Sequence, residues 1–133
     1  MQVLTEREAE KRGRQKGDQY LFQLDLLTNK NGNVQGMEKR DWVRDREMMM
    51  VIDAHTKGSV GRFANHSCEP NMFIQPVFID HHDVRWPRLA FFALEDIEPL
   101  TELVYDYGYQ IDSVQGKKLR CLCGTPSCRG FLY

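Results

Sequence analysis

The chain has 133 residues, of which 41% are hydrophobic and 28% are charged, and its formal net charge is −1. This length suits about one domain, which can bury roughly two thirds of the surface of its unfolded chain. The balanced charge lacks the basic footprint that grips a nucleic-acid backbone. The longest apolar run, Leu89–Leu94, is too short to span a bilayer, and no secretory signal opens the sequence. We therefore expect neither sequence-specific nucleic-acid binding nor membrane association from this chain.

The N-terminal residues predict one short helix and then a strand. Thr5 and Glu8 have the spacing of a capping box, in which each side chain accepts a hydrogen bond from the backbone N–H of the other residue. A charged helix should follow and end near Gly13. Residues 20–25 are rich in strand formers, whereas residues 28–41 are polar and should form a loop.

Short apolar runs between turn residues dominate the rest of the chain. They are Met48–Ile52, Met72–Ile79, Leu89–Leu94 and Leu103–Tyr105. Prolines at positions 70, 76, 87 and 99 punctuate these runs, which fits strand edges and strand starts better than helix interiors. The pattern predicts a mainly β domain of short strands, followed by a glycine-rich tail that carries three cysteines.

The four cysteines of the chain fit one zinc site. Cys121, Cys123 and Cys128 form a C-x-C-x4-C cluster, and Cys68 lies far upstream. Three thiols cannot pair off, and a disulfide across one intervening residue would be strained, whereas structural zinc takes four tetrahedral ligands. Reduced cysteines without a metal are the alternative. Thiolate ligands also indicate a reducing, intracellular compartment.

Two further segments carry side chains suited to ligand binding. Asn65 and His66 lie beside Cys68, so that a bound metal would hold them rigidly. Alternatively, Asn65 and Asn71 are turn residues and His66 is a satisfied core histidine. The second segment has phenols at alternate strand positions, which would form either a hydrophobic stripe or the wall of a pocket for a cation: Tyr105, Tyr107 and Tyr109.

These motifs resemble those of the SET-domain protein lysine methyltransferases. The runs R-F-A-N-H-S-C-E-P-N, E-L-V-Y-D-Y-G-Y and C-L-C-G-T-P-S-C-R-G follow one another in the family's order. The flanking V-I-D-A and C-R-G-F-L-Y are most similar to the Suppressor-of-variegation type, which methylates histone H3 at lysine 9, and P-L-T-E-L-V-Y-D-Y-G-Y resembles its plant members. The resemblance implies a SET-domain fold with a knot-like crossing over residues 1–113, and a post-SET zinc segment over residues 117–133.

The resemblance also implies a role for each candidate residue. The methyl donor would be S-adenosylmethionine, and its contacts would be Asp18, Tyr20, Arg62, Asn65 and His66. Tyr107 would be the catalytic tyrosine, and Tyr105 would limit the number of methyl groups added. The post-SET zinc would be held by Cys68, Cys121, Cys123 and Cys128. The implied reaction is an in-line displacement, which needs a neutral lysine amine and no covalent enzyme intermediate.

The partners that the resemblance implies are a histone H3 tail peptide and chromatin, in the nucleus and on the chromosome. The implied outcome is mono- and dimethylation of lysine 9 and chromatin silencing. The sequence starts after the G-x-G stretch with which relatives begin their SET domain, and it lacks their cysteine-rich pre-SET cluster. We therefore expect an N-terminally truncated SET domain. The alternative function is a non-catalytic, zinc-stabilised module that interacts with histones or chromatin.

Overall fold

The computed structural model describes residues 2–17, 20–24, 50–80, 87–111 and 118–133, which divide into two compact units. The first, which we call the helical unit, comprises Met1–Arg62 and Pro76–Leu89. The second, the tyrosine unit, comprises Phe63–Gln75 and Ala90–Tyr133. The described elements are, in chain order, β1 (Gln2–Thr5), α1 (Glu6–Lys16), β2 (Leu21–Gln23), β3 (Met50–Asp53), a 3-10 helix (Val60–Phe63), β4 (Asn65–His66), β5 (Met72–Val77), β6 (Arg88–Ala93) and β7 (Val104–Tyr105).

The helical unit contains an antiparallel sheet in the order β1-β3-β2. Its central strand carries Val51 and Ile52, which are only 2% and 4% exposed. Successive side chains of a strand point to opposite faces of the sheet, so the burial of both residues shows that both faces of β3 are covered. Leu4 of β1 and Ala9 of α1 pack into the same core as Val51, with Leu21 of β2 against it.

Helix α1 begins at the capping box that the sequence predicts. The Thr5 hydroxyl accepts a hydrogen bond from the Glu8 N–H, and the Glu8 carboxylate accepts one from the Thr5 N–H at 2.9 Å. The helix runs to Lys16 and ends at Gly17, whose φ is 82°. The predicted end near Gly13 is therefore wrong, because one glycine costs a helix interior only about 1 kcal/mol. In the described part of the chain, no helix is long and apolar enough to cross a membrane.

A largely buried ion pair ties α1 to β3. The Arg12 guanidinium lies 2.9 Å from the Asp53 carboxylate, and the two side chains are 13% and 7% exposed. Asp53 also accepts a hydrogen bond from the His55 N–H at 2.8 Å. Arg12 donates another to the carbonyl oxygen of Gly17 at 2.6 Å. One arginine therefore fixes both the central strand and the end of the helix.

The second sheet has the order β4-β7-β5-β6, so the last of the described strands lies between two earlier ones. Strand β7 pairs in parallel with β4, with Asn65 opposite Val104 and His66 opposite Tyr105. It also pairs in parallel with β5, where Met72 is opposite Tyr105. The mainly β fold is thus confirmed, and the order of the strands agrees with the crossing that the resemblance implies.

Most strands lie where the sequence predicts them, and β1 and β4 are the exceptions. Gln2–Thr5 contains no apolar run of its own, and its extended conformation is stabilised by pairing with the distant strand β3. The predicted loop over residues 28–41 lies outside the described residues. So does the predicted boundary between the SET segment 1–113 and the post-SET segment 117–133.

The C-terminal tail closes on itself through its backbone. Arg120 and Phe131 form an isolated antiparallel bridge. The Leu132 N–H donates a hydrogen bond to the carbonyl oxygen of Leu119 at 2.8 Å. The side chains of Cys121 and Leu132 are 6% and 8% exposed. Few apolar groups hold this segment together, so it needs a further cross-link to be stable.

Candidate active site and metal centre

The segment Asn65–His66 lies beside β7, and Asn71 fixes the start of that strand. The Asn71 side chain accepts a hydrogen bond from the Val104 N–H at 3.0 Å and donates one to the carbonyl oxygen of Glu102 at 2.8 Å. The Asn65 side chain donates to the Glu102 carboxylate at 2.7 Å. Asn71 therefore does more than form a turn, because its side chain holds the start of β7 in place. The sequence alone did not indicate these two hydrogen bonds.

His66 is enclosed, with its side chain only 5% exposed. Its Nδ1 accepts a hydrogen bond from the Tyr107 N–H at 3.1 Å. Its Nε2 lies 3.5 Å from the Cys68 Sγ. Burial lowers the pKa of His66, although the nearby Asp106 carboxylate acts in the opposite direction. The side chain thus fits the alternative in which His66 is a core histidine with satisfied hydrogen bonds. Any contact between His66 and a cofactor would therefore be made by its backbone.

Aromatic rings form a continuous series around β7. The Tyr105 and Tyr107 rings are 4.8 Å apart between centroids, and Tyr107 also lies 5.3 Å from the His66 ring. Further contacts of 5.0 to 6.3 Å extend the series at both ends: Phe91 with Tyr105, Tyr107 with Tyr109, and Tyr109 with Tyr133. The structure therefore brings together the two tyrosines predicted to be catalytic.

The two tyrosines differ in what surrounds their hydroxyl groups. The Tyr107 hydroxyl donates a hydrogen bond to the carbonyl oxygen of Ala64 at 3.1 Å. Tyr105 is 8% exposed, and its burial, reinforced by the phenols of Tyr107 and Tyr109, raises its pKa well above the usual value. Tyr105 is therefore a neutral phenol at physiological pH, which cannot act as a base.

The other residues predicted to contact the cofactor belong to the helical unit. The Arg62 guanidinium lies over the Tyr20 ring, 4.6 Å from its centroid, and donates a hydrogen bond to the carbonyl oxygen of His55. The His55 ring meets the Tyr20 ring edge-on at 5.7 Å. These contacts hold Tyr20 and Arg62 together. Asp18 lies outside the described residues.

The four cysteines converge as the sequence predicts. Their Sγ atoms all lie within 4.8 Å of one another, and the Sγ atoms of Cys68 and Cys121 are 3.9 Å apart. Four thiolates around a tetrahedral zinc have Sγ atoms about 3.8 Å apart, since each Zn–S bond is about 2.3 Å. The donor set and its spacing therefore fit zinc, and these residues would hold the ion: Cys68, Cys121, Cys123 and Cys128.

The surroundings of the thiols favour metal binding. Hydrogen bonding from Thr125 lowers the pKa of Cys123 to about 5, whereas burial raises the pKa of Cys121 to about 12. A thiol that ligates a cation loses its proton, so bound zinc would deprotonate Cys121 despite its raised pKa. The Arg129 N–H donates to the Cys68 Sγ at 3.5 Å, and the Gly130 N–H donates to the Cys128 Sγ at 3.4 Å. Such donors orient the ligands and stabilise their charge.

Two polar contacts also join the tail to the rest of the tyrosine unit. The Glu69 carboxylate accepts a hydrogen bond from the Ser127 N–H at 3.0 Å. Hydrogen bonding to the side chain and then to the backbone of Ser127 lowers the pKa of Glu69. The Arg129 guanidinium lies 3.3 Å from the Asp106 carboxylate. Nothing in the spacing of these residues indicates the contacts, because they depend on the tail being folded against the Cys68 segment.

The SET domain family matches residues 1–108 of the chain. The H3 lysine-9 specific histone-lysine N-methyltransferase SUVH6 of Arabidopsis thaliana is 40% identical over 146 residues, which cover 99% of this chain and 18% of the relative. A crystal structure of Arabidopsis thaliana SUVH6 in complex with SAM superposes with a TM-score of 0.74 and 42% identity, covering 98% of this chain and 26% of that one.

A crystal structure of KRYPTONITE in complex with mCHH DNA, H3(1-15) peptide and SAH superposes with a TM-score of 0.66 and 39% identity. The match covers 86% of this chain and 21% of that one. The chain spans at most 22% of the length of four of its curated relatives. The family match, the strand order and the cysteine site agree with one another. The chain belongs to the SET-domain family, and its relatives include histone-lysine N-methyltransferases named as specific for lysine 9 of histone H3.

Proposed function

We propose that this chain carries the active site of a methyltransferase that moves methyl groups from S-adenosylmethionine to lysine 9 of the histone H3 tail. The observation that carries the proposal is the parallel pairing of β4 with β7, which holds Tyr105 and Tyr107 beside Asn65 and His66. The names of the relatives support the activity and the lysine. The structures solved with SAM, and with an H3 peptide and SAH, support the donor and the substrate.

The aromatic series around β7 suits both reactants of such a transfer. When bound, S-adenosylmethionine supplies a methyl group activated by a positively charged sulfonium. The rings of Tyr105 and Tyr107 can stabilise that charge and the developing ammonium through cation–π attraction. Aromatic walls also desolvate the lysine, which lowers its pKa and favours the neutral amine that attacks.

Tyr107 is assigned as the catalytic tyrosine through its oxygen and its ring. Its hydroxyl proton points to the carbonyl oxygen of Ala64, so the lone pairs of the phenol face away from that contact. A preorganised oxygen of this kind stabilises positive charge in the transition state. The phenol is not assigned as a general base, because its ordinary pKa of about 10 keeps it protonated at neutral pH.

Three of the proposed cofactor contacts are each held by neighbouring side chains within their own unit. In the tyrosine unit, the exposed Asn65 has its carboxamide oriented by Glu102, as recognition of a purine edge requires. In the helical unit, Arg62 and Tyr20 hold each other by the stacking described above. Asp18 is proposed from the family motif alone.

The products are proposed to be chiefly mono- and dimethyl-lysine, because Tyr105 would place a phenol hydroxyl in the lysine pocket. The setting would be nuclear chromatin, in line with the names of the histone methyltransferase relatives. Silencing is the consequence that the family resemblance implies. The zinc would fix the post-SET tail, whose proposed extent is 117–133, against the Cys68 segment. The SET segment proposed for the rest of the chain is 1–113.

The test of this proposal combines binding and turnover. S-adenosylmethionine is titrated calorimetrically into the zinc-loaded chain, and methyl transfer is then measured on an H3(1-15) peptide and on one with alanine at lysine 9. We expect one binding site for the donor, and transfer that is lost with the altered peptide. Peptide binding without donor binding would instead support the non-catalytic interaction module. Equal transfer to both peptides would contradict the assignment of lysine 9.

A further inference from the structure

The imidazole of His66 bridges the metal site and the segment after β7 that carries Tyr107. Its two ring nitrogens contact different partners: Nδ1 lies 3.1 Å from the Tyr107 backbone nitrogen, and Nε2 lies 3.5 Å from the Cys68 Sγ. The ring is 5% exposed, so water does not compete for either nitrogen. A single side chain therefore spans from a zinc ligand to the backbone of Tyr107.

The contact with Tyr107 fixes which nitrogen carries the proton. A backbone N–H can only donate, so Nδ1 must accept, and the neutral ring then carries its proton on Nε2. That proton faces the Cys68 Sγ, which accepts a second hydrogen bond from the Arg129 N–H. The arrangement is the one in which a donor beside a metal ligand sets the orientation of that ligand.

The carboxylate of Asp106 does not change this assignment. Its Oδ1 is 3.5 Å from Nδ1, farther than the Tyr107 nitrogen, and it already accepts a hydrogen bond from the Gly108 N–H at 2.9 Å. The same oxygen lies 3.3 Å from the Arg129 guanidinium. His66 Nδ1 and Asp106 Oδ1 therefore both act as acceptors and share no hydrogen bond. The hydrogen bonds of the ring are complete without a positive charge.

We infer that His66 is a positioning residue that couples the zinc site to the placement of Tyr107. Its Nε2–H orients the Cys68 thiolate, and its Nδ1 holds the amide of Tyr107, two residues beyond the end of β7. A change in the position of the Cys68 thiolate would therefore alter the position of Tyr107 through the His66 ring. The inference rests on the proposed function only where it calls Tyr107 catalytic, since the two hydrogen bonds can be tested without turnover.

Three substitutions of His66 separate the two hydrogen bonds. His66→Asn keeps an acceptor near the position of Nδ1 but cannot reach Cys68. His66→Gln keeps a donor near the position of Nε2 but loses the acceptor for Tyr107. His66→Phe keeps the ring and loses both contacts. Comparison of the first two variants distinguishes a specific role from general damage to the fold.

The first readout is zinc affinity, measured by competition with a chelator on the full chain. Outer contacts to metal ligands typically contribute about 10–100-fold in affinity. We expect weakening in this range for His66→Phe and His66→Asn, and a smaller effect for His66→Gln. Equal affinity in all four proteins would overturn the link to Cys68.

The second readout is spectroscopic. Nitrogen NMR of the zinc-loaded chain should show the His66 proton on Nε2, and the amide resonance of Tyr107 should move in His66→Gln and much less in His66→Asn. In the cobalt-substituted protein, the charge-transfer bands of four thiolates should persist in His66→Phe. A proton on Nδ1, or loss of those bands because the imidazole is itself a ligand, would contradict the inference.

The third readout is turnover, which separates this inference from the proposed function. With saturating metal, His66→Gln should lower kcat more than His66→Asn does, with the KM for the H3 peptide unchanged in both. If the unsubstituted protein transfers no methyl groups, the proposed function fails while the zinc and NMR results still decide the role of His66. Equal loss of kcat in both variants would reduce His66 to a packing residue.

Discussion

The Tyr107 hydroxyl donates a hydrogen bond to the backbone carbonyl oxygen of Ala64 at 3.1 Å, across 43 positions of sequence. Both groups belong to the tyrosine unit, and the contact fixes the rotation of the phenol. We predict that Tyr107→Phe lowers the rate of methyl transfer by about 10²–10³-fold, the typical cost of one preorganised polar group. Single-turnover kinetics on the H3 peptide measure this loss.

A matched control is Tyr109→Phe, which removes a hydroxyl from the same aromatic series without touching the Ala64 carbonyl. Its rate should remain within a few-fold of the unsubstituted protein. Zinc content and thermal melting should be similar in both variants, because each keeps its ring. Near-normal turnover of Tyr107→Phe would remove this residue from the mechanism.

Tyr105 offers a second test, since its buried phenol occupies space beside Tyr107. We predict that Tyr105→Phe shifts the products toward trimethyl-lysine with little change in the first transfer. Loss of one oxygen gives a dimethylated amine room to turn, and a misplacement of about 1 Å can cost a hundredfold in rate. Mass spectrometry of the H3 peptide checks this, and abundant trimethyl product from the unsubstituted protein would contradict it.

Removal of zinc should disorder the C-terminal tail. The tail buries few side chains, whereas structural zinc contributes about 10–16 kcal/mol to folding in small zinc-binding peptides. We predict that chelation abolishes the hydrogen-exchange protection of the Cys121 and Leu132 amides, which donate within the tail. The amides of β3 in the helical unit provide the internal reference and should keep their protection.

Substitution of one cysteine tests the zinc site directly. Cys123→Ser should lower metal content from one zinc per chain toward zero, because a hydroxyl is a poor replacement for a thiolate ligand. Elemental analysis of protein purified without added metal measures this. Absence of zinc from the unsubstituted protein would contradict the site.

The Arg12–Asp53 pair should contribute far more to stability than an exposed pair on the same helix. Arg12→Ala leaves the Asp53 carboxylate buried with one fewer partner, and we predict a loss of about 3–5 kcal/mol in the free energy of unfolding. Arg14→Ala is the matched control, since Arg14 and Glu10 are 83% and 64% exposed and 3.8 Å apart. Its cost should be about 0–1 kcal/mol.

Urea denaturation of the two arginine variants decides this comparison. The double variant Arg12→Ala with Asp53→Ala should recover part of the loss, because it removes the unpaired carboxylate. Equal stability of the Arg12→Ala and Arg14→Ala proteins would show that the buried pair contributes nothing beyond an exposed one.

Leu100 is a fully exposed residue with a φ of 68°, the one non-glycine residue with a positive φ in the described ranges. The left-handed conformation costs an L-residue about 1–2 kcal/mol, and glycine avoids most of that cost. We predict that Leu100→Gly raises the free energy of unfolding by about 0.5–1 kcal/mol relative to Leu100→Ala, after the greater entropy of unfolded glycine is subtracted. A lower stability for the glycine variant would show that the turn is unstrained.

The metal ligands could be predicted from the sequence because the identity and spacing of cysteines are properties of the chain itself. The start of α1 could be predicted for the same reason, since Thr5 and Glu8 interact across a single turn. The end of α1 could not, because Gly13 and Gly17 differ in backbone conformation and not in chemistry. Strand β1 could not either, since its partner β3 is far away in the sequence.

The candidate site was predictable only in part. The alternation of Tyr105 and Tyr107 predicts a shared face of one strand. Strand β7 ends at Tyr105, so that prediction is wrong for Tyr107, although the two rings do lie together. The sequence left open whether His66 binds a ligand or fills the core, because its neighbours come from two other segments. Asn71 looked like a turn former, since nothing local shows that its carboxamide reaches β7.

The position of β7 between β4 and β5 has a consequence for how the protein is made. Until residues 104 and 105 are in place, β4 and β5 lack the strand that joins them. That strand must enter a gap between two earlier strands, which requires closing two long loops and slows folding. We therefore expect β7 and its tyrosine to be ordered late in folding. A nascent chain would expose open strand edges up to that moment, which makes this stage of synthesis the one most prone to aggregation.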